Sequence, residues 1–268
     1  MRTLNTPIPR HTASTACGAA LLTLLAAALT ACGGGGSGAS PASNAPPAIN
    51  QGAYTGSTSN PAAPSFRLLV LEDGSVWSVY GREVAGALQV AGFLQGQGSF
   101  NNGQVTASDV RDHSQGTTAS GQLTGSYTAA PSISGQVAYA SGTVTFNGGA
   151  IPNSTYDYNA AAQLSEVSGN WSLSLSSGET ANVTISSTGA LGGVSSLGCR
   201  FSGTVTPRPS GKNVFNVSLS FGSSPCALPG QTATGVAVSY PLASGQRQLI
   251  VLGQNSGRTL GLAAFGLR

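Results

Sequence analysis

Thiols are the most reactive side chains on offer. Cys17, Cys32, Cys199 and Cys226 are the four cysteines, and none forms the C-x-x-C spacing that redox exchange or a zinc site would use. A second reactive stretch is Asp109-Val110-Arg111-Asp112-His113-Ser114. A serine relay could draw on His113 as base, but neighbours on one strand point to opposite faces and no G-x-S-x-G elbow is present. The stretch therefore reads as a polar hairpin loop. Paired carboxylates for glycoside hydrolysis could come from any of the eight acids, and nothing selects a pair. Glu72 and Asp73 are adjacent in a turn, where water solvates them. Asp109, Asp112 and Asp157 lack an EF-hand spacing, and no glycine loop has a phosphate-cradling pattern. The sequence thus nominates no catalytic residue, no metal site and no cofactor.

Cys32 is different because of what precedes it. A polar leader carrying Arg2 and Arg10 runs into the apolar segment Ala19 to Leu29, and then into Leu29-Thr30-Ala31-Cys32. A positive leader, a short apolar run and small residues at the cut describe a secretory signal, too short to remain as a spanning helix. The tetrapeptide resembles the lipobox of bacterial lipoproteins. That resemblance implies cleavage after Ala31, acylation of Cys32 and attachment to the membrane through its acyl chains, more anchoring than stable attachment requires. Gly33 is not the aspartate that retains such proteins at the inner membrane, so the resemblance implies the outer membrane, with the body facing the surface or the periplasm. In an oxidising compartment Cys199 and Cys226, the only pair left in the body, are expected to form a structural disulfide between a strand start and a loop.

Composition agrees with an exported, folded body. Charged residues are only 7% of the chain and hydrophobic ones 40%, whereas disorder couples low hydrophobicity with high net charge. Without Arg2 and Arg10, nine basic residues face eight acidic ones. Such a balance lacks the clustered Lys and Arg of a nucleic-acid partner. From Gly33 to Asn50, GGGGSGASPASNAPPAIN has almost nothing to bury and reads as a flexible tether, with a reach of roughly 20 to 25 Å.

Strands must position everything after the tether. Asn213 to Phe221 alternates so that Phe215, Val217, Leu219 and Phe221 share one face, and Trp171, Leu173 and Leu175 do the same. Trp77 and Trp171 fall in such segments and are expected in the core. Glu72-Asp73-Gly74, Asn102-Gly103 and Asn147-Gly148 are expected hairpin turns. Alternation lapses between Gly149 and Val167, where Ala160 to Leu164 hints at one helical turn. Across this gap segments repeat in order. Gly52-Ala53-Tyr54 answers Gly169-Asn170-Trp171, and Leu68 to Gly74 answers Val183 to Gly189. Thr118 to Gly121 answers Thr232 to Gly235, each leading to a Ser-Tyr pair, and Ser134-Gly135-Gln136 answers Ser244-Gly245-Gln246. The pattern predicts an internal duplication.

The expected organisation is a signal peptide over residues 1–31, acylated Cys32 and tether over 32–50, a first β unit over 51–148, a connector over 149–167, and a second β unit with the disulfide over 168–268. The fold is predicted to be all-β, as two similar antiparallel barrel- or sandwich-like units in tandem. One large sandwich is the competing architecture. Tyr156 and Tyr158 in the connector are the candidate binding surface, since exposed tyrosines suit binding. The Gly-aromatic starts, repeated hairpins and terminal Ala264-Phe265-Gly266 resemble the barrel-bearing surface lipoproteins of the transferrin-binding and factor-H-binding type. That resemblance implies a non-catalytic surface binding protein or adhesin, with an unknown surface ligand or envelope protein as partner. A structural or accessory envelope subunit is the alternative, with a hydrolase behind both.

Overall fold

The computed structural model describes residues 50–128 and 132–268. The leader, Cys32 and the tether up to residue 49 lie outside the described residues. The body is two closed eight-stranded antiparallel barrels within one compact unit. Barrel one uses β1 (Gly52–Thr58), β2 (Ser65–Val70), β3 (Ser75–Val84), β4 (Ala87–Gln97), β5 (Ser99–Asn101), β6 (Gln104–Ser114), β7 (Thr117–Tyr127), β8 (Ser132–Tyr139) and β9 (Gly142–Ala150). Sequential neighbours pair, β1 returns to β9, and β4 meets β6 from Gly92↔Ser114 to Gln95↔Arg111 to close the ring, leaving the short β5 paired to β6 alone. Barrel two uses β10 (Gly169–Leu175), β11 (Thr180–Ile185), β12 (Ala190–Ser195), β13 (Arg200–Pro207), β14 (Phe215–Phe221), β15 (Thr232–Pro241), β16 (Arg247–Gln254) and β17 (Gly261–Leu267), closed by β10 against β17. Closure of each half on itself rules out the single large sandwich, and it leaves neither barrel an open edge along the ring.

Three of the four repeated matches fall on equivalent strands, whereas Ser134-Gly135-Gln136 lies inside β8 and Ser244-Gly245-Gln246 in the turn before β16. Gly52-Ala53-Tyr54 and Gly169-Asn170-Trp171 open β1 and β10. Gly74 and Gly189 both turn with positive φ, at 79° and 85°. Thr118 to Gly121 lies in β7 and Thr232 to Gly235 in β15, the strand before the penultimate one in each barrel.

Period-two alternation fills the lumens. Tyr54, Phe66, Leu68, Val70, Val76 and Val105 are among the side chains inside barrel one, and Trp171, Leu173, Val183, Phe215, Val217 and Leu219 among those inside barrel two. A third apolar cluster lies between the barrels, built from the outer faces of β2, β3 and β4 (Leu69, Trp77, Val79, Leu88, Phe93) and of β15 and β16 (Val236, Tyr240, Ile250, Leu252). Strands buried on both faces lose alternation. Leu68-Leu69-Val70-Leu71 and Leu249-Ile250-Val251-Leu252 are continuous apolar runs for that reason.

Several local expectations are corrected. Asn147-Gly148 is no turn: it lies inside β9, with Asn147 opposite Ser57 and Gly148 opposite Gly56. A Cβ at Gly148 would meet the Thr55 carbonyl oxygen at 2.4 Å and the Phe66 ring at 2.8 Å, so the glycine serves close strand packing. Asn102-Gly103 does turn, both residues at positive φ (47° and 77°). The connector's helical turn is a 3-10 turn at Leu164–Glu166, just beyond the alanines. The disulfide joins Cys199, beside the start of β13, to Cys226 in the β14–β15 loop, with Cα atoms 4.6 Å apart.

Candidate functional site

His113 is buried, at 2% exposure, and sits in β6 rather than in a hairpin loop. Alternation along β6 sends Val110 and Asp112 into barrel one, and Asp109 and His113 outward toward barrel two. The His113 ring stacks on Phe93 at 4.7 Å; its Nε2 faces Gln254 Oε1 at 3.1 Å and its Nδ1 faces Thr118 Oγ1 at 2.9 Å. Burial is the main reason its pKa lies below the usual value of 6.5. Gly261 makes room for the ring, because a Cβ there would fall 2.5 Å from His113 Cγ. The imidazole is thus part of the barrel-to-barrel contact, and the hydroxyl beside it, Thr118 Oγ1, donates to the Thr259 carbonyl of barrel two.

The same contact recruits the acids that sequence reading assigned to water. Arg208 of the loop after β13 binds Glu72 through Nε and Asp73 through a terminal nitrogen, both at 2.7 Å. Arg258 of the β16–β17 loop binds Asp109 at 2.6 Å. Gln254 Nε2 donates to Gln95 Oε1 at 2.9 Å. These polar bonds flank the apolar cluster, so the barrels are held by packing in the middle and by oriented donors around it.

Packing between the barrels leaves a cavity of about 300 Å³. Ala53, Leu69, Trp77 and Val79 of barrel one form one wall, and Val236, Val238, Ile250 and Leu252 of barrel two form the other. Arg67 also lines it, bound to Glu83 at 3.0 Å and stacked 4.3 Å from the centre of the Tyr240 ring. The connector supplies Ile151, Pro152 and Tyr156. Tyr156 and Tyr158 are each only 5% exposed, a correction to the exposed surface that the sequence suggested. Both rings belong to the cluster between the barrels, where Tyr156 donates to the Asn213 carbonyl and Tyr158 to that of Val70. A connector must cross the groove between two barrels, and aromatic rings fill such a groove with their hydroxyls bonded to backbone.

A second cavity, about 320 Å³, occupies one half of the barrel-one lumen beside the β1–β2, β6–β7 and β8–β9 turns. Phe66, Leu68, Leu123 and Val137 line its apolar wall. Asp112 projects into it and accepts hydrogen bonds from Tyr80 at 2.6 Å and Tyr139 at 2.7 Å. Burial first, and then the Asp112 charge, drive both phenols well above their ordinary pKa, so they remain protonated donors. Sequence reading missed this site. The usable signal was an acid at an inward position of an alternating strand, two residues after Val110. A cavity of about 70 Å³ lies in the barrel-two interior among Leu173, Ala181, Leu191 and Leu219. Among the described residues no group of three or more His, Cys, Asp or Glu is placed to hold a metal ion.

No protein-family model matches the chain, and no curated protein matches it in sequence. Among solved structures it is similar to transferrin binding protein B, as a point mutant from Haemophilus parasuis Hp5, with 8% identity over 83% of this chain and 77% of that one and a TM-score of 0.30. The isotype 1 protein of that name from serogroup B Neisseria meningitidis shows 10% identity over 76% and 65%, with a TM-score of 0.25. A protein of unknown function of the DUF3598 family from Nostoc punctiforme shows 14% identity over 82% and 95%, with a TM-score of 0.23.

Proposed function

We propose that this chain is a lipoprotein of the outer membrane, held by acyl chains on Cys32, whose double-barrel body is a non-catalytic binding protein or adhesin for a surface ligand. The observation that carries the binding reading is the apolar cavity between the barrels, about 300 Å³, to which both barrels and the connector contribute walls. Preformed apolar cavities of this size with few polar groups suit small ligands or an apolar side chain of a larger partner. Tyr156 belongs to that wall, so the connector retains a binding role, as a buried liner rather than an exposed patch. The polar bonds around the contact support a rigid frame, which lowers the ordering cost of binding.

N-phenyl-1-naphthylamine, a neutral apolar fluorophore, tests the cavity. Titration into the purified full chain is expected to give saturable fluorescence enhancement at one site. Val238→Phe, which fills the cavity from β15, is expected to abolish it while thermal unfolding is unchanged. Absence of saturable binding, or equal binding by a folded Val238→Phe chain, would favour a structural envelope role instead.

A further inference from the structure

We propose that the open half of the barrel-one lumen is a second, separate binding site, and that it takes a small organic cation such as an aromatic or quaternary amine. Asp112 provides the charge. Its two oxygens accept one phenol hydrogen bond each, from Tyr80 and Tyr139, and a carboxylate offers about four acceptor positions, so about two remain. None of the residues lining this cavity is Lys or Arg, and none of the ion pairs formed among the described residues includes Asp112. A half-buried carboxylate without a counter-ion gains from the arrival of a cation, because the pairing offsets the hydration lost on burial.

The surroundings suit an organic cation better than a bare metal ion. Phe66, Phe146, Tyr80 and Tyr139 bring aromatic rings to the cavity wall, where ring faces attract ammonium groups. A metal ion would need several hard oxygen ligands, and Asp112 is the only carboxylate lining this cavity. The volume, about 320 Å³, matches a small amine with one ring system. The polar group is also held in place by backbone. A Cβ at Gly92 would fall 2.3 Å from the Tyr80 hydroxyl oxygen, so glycine at this point of β4 keeps the space in which Tyr80 reaches Asp112.

Calorimetric titration of tryptamine into the purified full chain at low ionic strength tests the proposal. One site is expected, and indole-3-propionate, with a related ring and the opposite charge, is expected not to bind. Asp112→Asn, nearly the same in shape, should weaken tryptamine about tenfold or more in a chain that thermal unfolding shows to be folded. Val238→Phe, at the cavity between the barrels, should leave it unchanged, which separates this site from the other. No tryptamine binding at millimolar concentration, equal affinity in Asp112→Asn, or equal binding of the acid and the amine would each overturn the proposal. Should Asp112→Asn fail to fold, the comparison of amine with acid on the unaltered chain still decides.

Discussion

The side-chain amide of Gln248 forms two hydrogen bonds with the backbone of Leu88, 160 residues away: Nε2 donates to the Leu88 carbonyl at 2.8 Å and Oε1 accepts the Leu88 N–H at 2.9 Å. Tyr240 adds its hydroxyl to the same Oε1. Gln248 is 1% exposed and Leu88 fully buried, so water cannot replace either bond. The pair locks the start of β4 in barrel one to β16 of barrel two at one register. Gln248→Met keeps the volume but removes both partners of Leu88. It is expected to cost about 2 to 4 kcal/mol, the penalty for leaving a buried N–H and C=O unpaired, read from the midpoint of urea unfolding.

The disulfide should matter through the loop it closes. Cys199 and Cys226 are 27 residues apart, and closing such a loop stabilises by about 3 to 4 kcal/mol on the chain-entropy model. A Cys199→Ala, Cys226→Ala double variant is expected to lose at least that much. Urea unfolding of the oxidised chain against the double variant measures it, and equal midpoints would contradict it.

Acid should weaken the fold in two stages. His113 has a folded pKa below 6.5, mainly because of burial. The unfolded chain therefore takes up its proton first, so the contribution of His113 is complete above pH 6.5 and declines as pH falls below it. His113→Gln is expected to flatten the stability profile between pH 7 and about pH 5. Asp73 and Asp109 titrate lower. Burial raises each, but bonds from Ser75 and Arg208 to Asp73, and from Arg258 and the Gln97 N–H to Asp109, outweigh it and hold both below the usual 3.8. Their contribution is present above that value and is lost as pH falls through the depressed one. Arg208→Met is expected to reduce the second decline, measured by thermal unfolding between pH 5 and about pH 2.

The proposed anchor would depend on one thiol, Cys32. Cys32→Ala is expected to abolish labelling by radioactive palmitate and to release the body from the membrane fraction. Unchanged labelling, with the leader still cut normally, would contradict the lipoprotein reading.

Local sequence determined the strands and many of the turns. Alternation in Phe215-Asn216-Val217-Ser218-Leu219 and positive-φ residues at Asn102-Gly103 act over a few residues, so they can be read without knowing the fold. The same alternation could not show why Gly148 is glycine, because the crowding atoms belong to Thr55 and Phe66, far away in the chain. Nor could it show that Glu72 and Asp73 meet Arg208, or that Tyr156 and Tyr158 are covered. Those outcomes follow from one barrel packing against the other, and that contact joins segments more than 130 residues apart. Alternation marks Asp112 as sharing the face of Val110, but tertiary structure alone brought Tyr80 and Tyr139 to it, since ring closure chooses which strand face becomes the interior and which side chains from distant strands meet there.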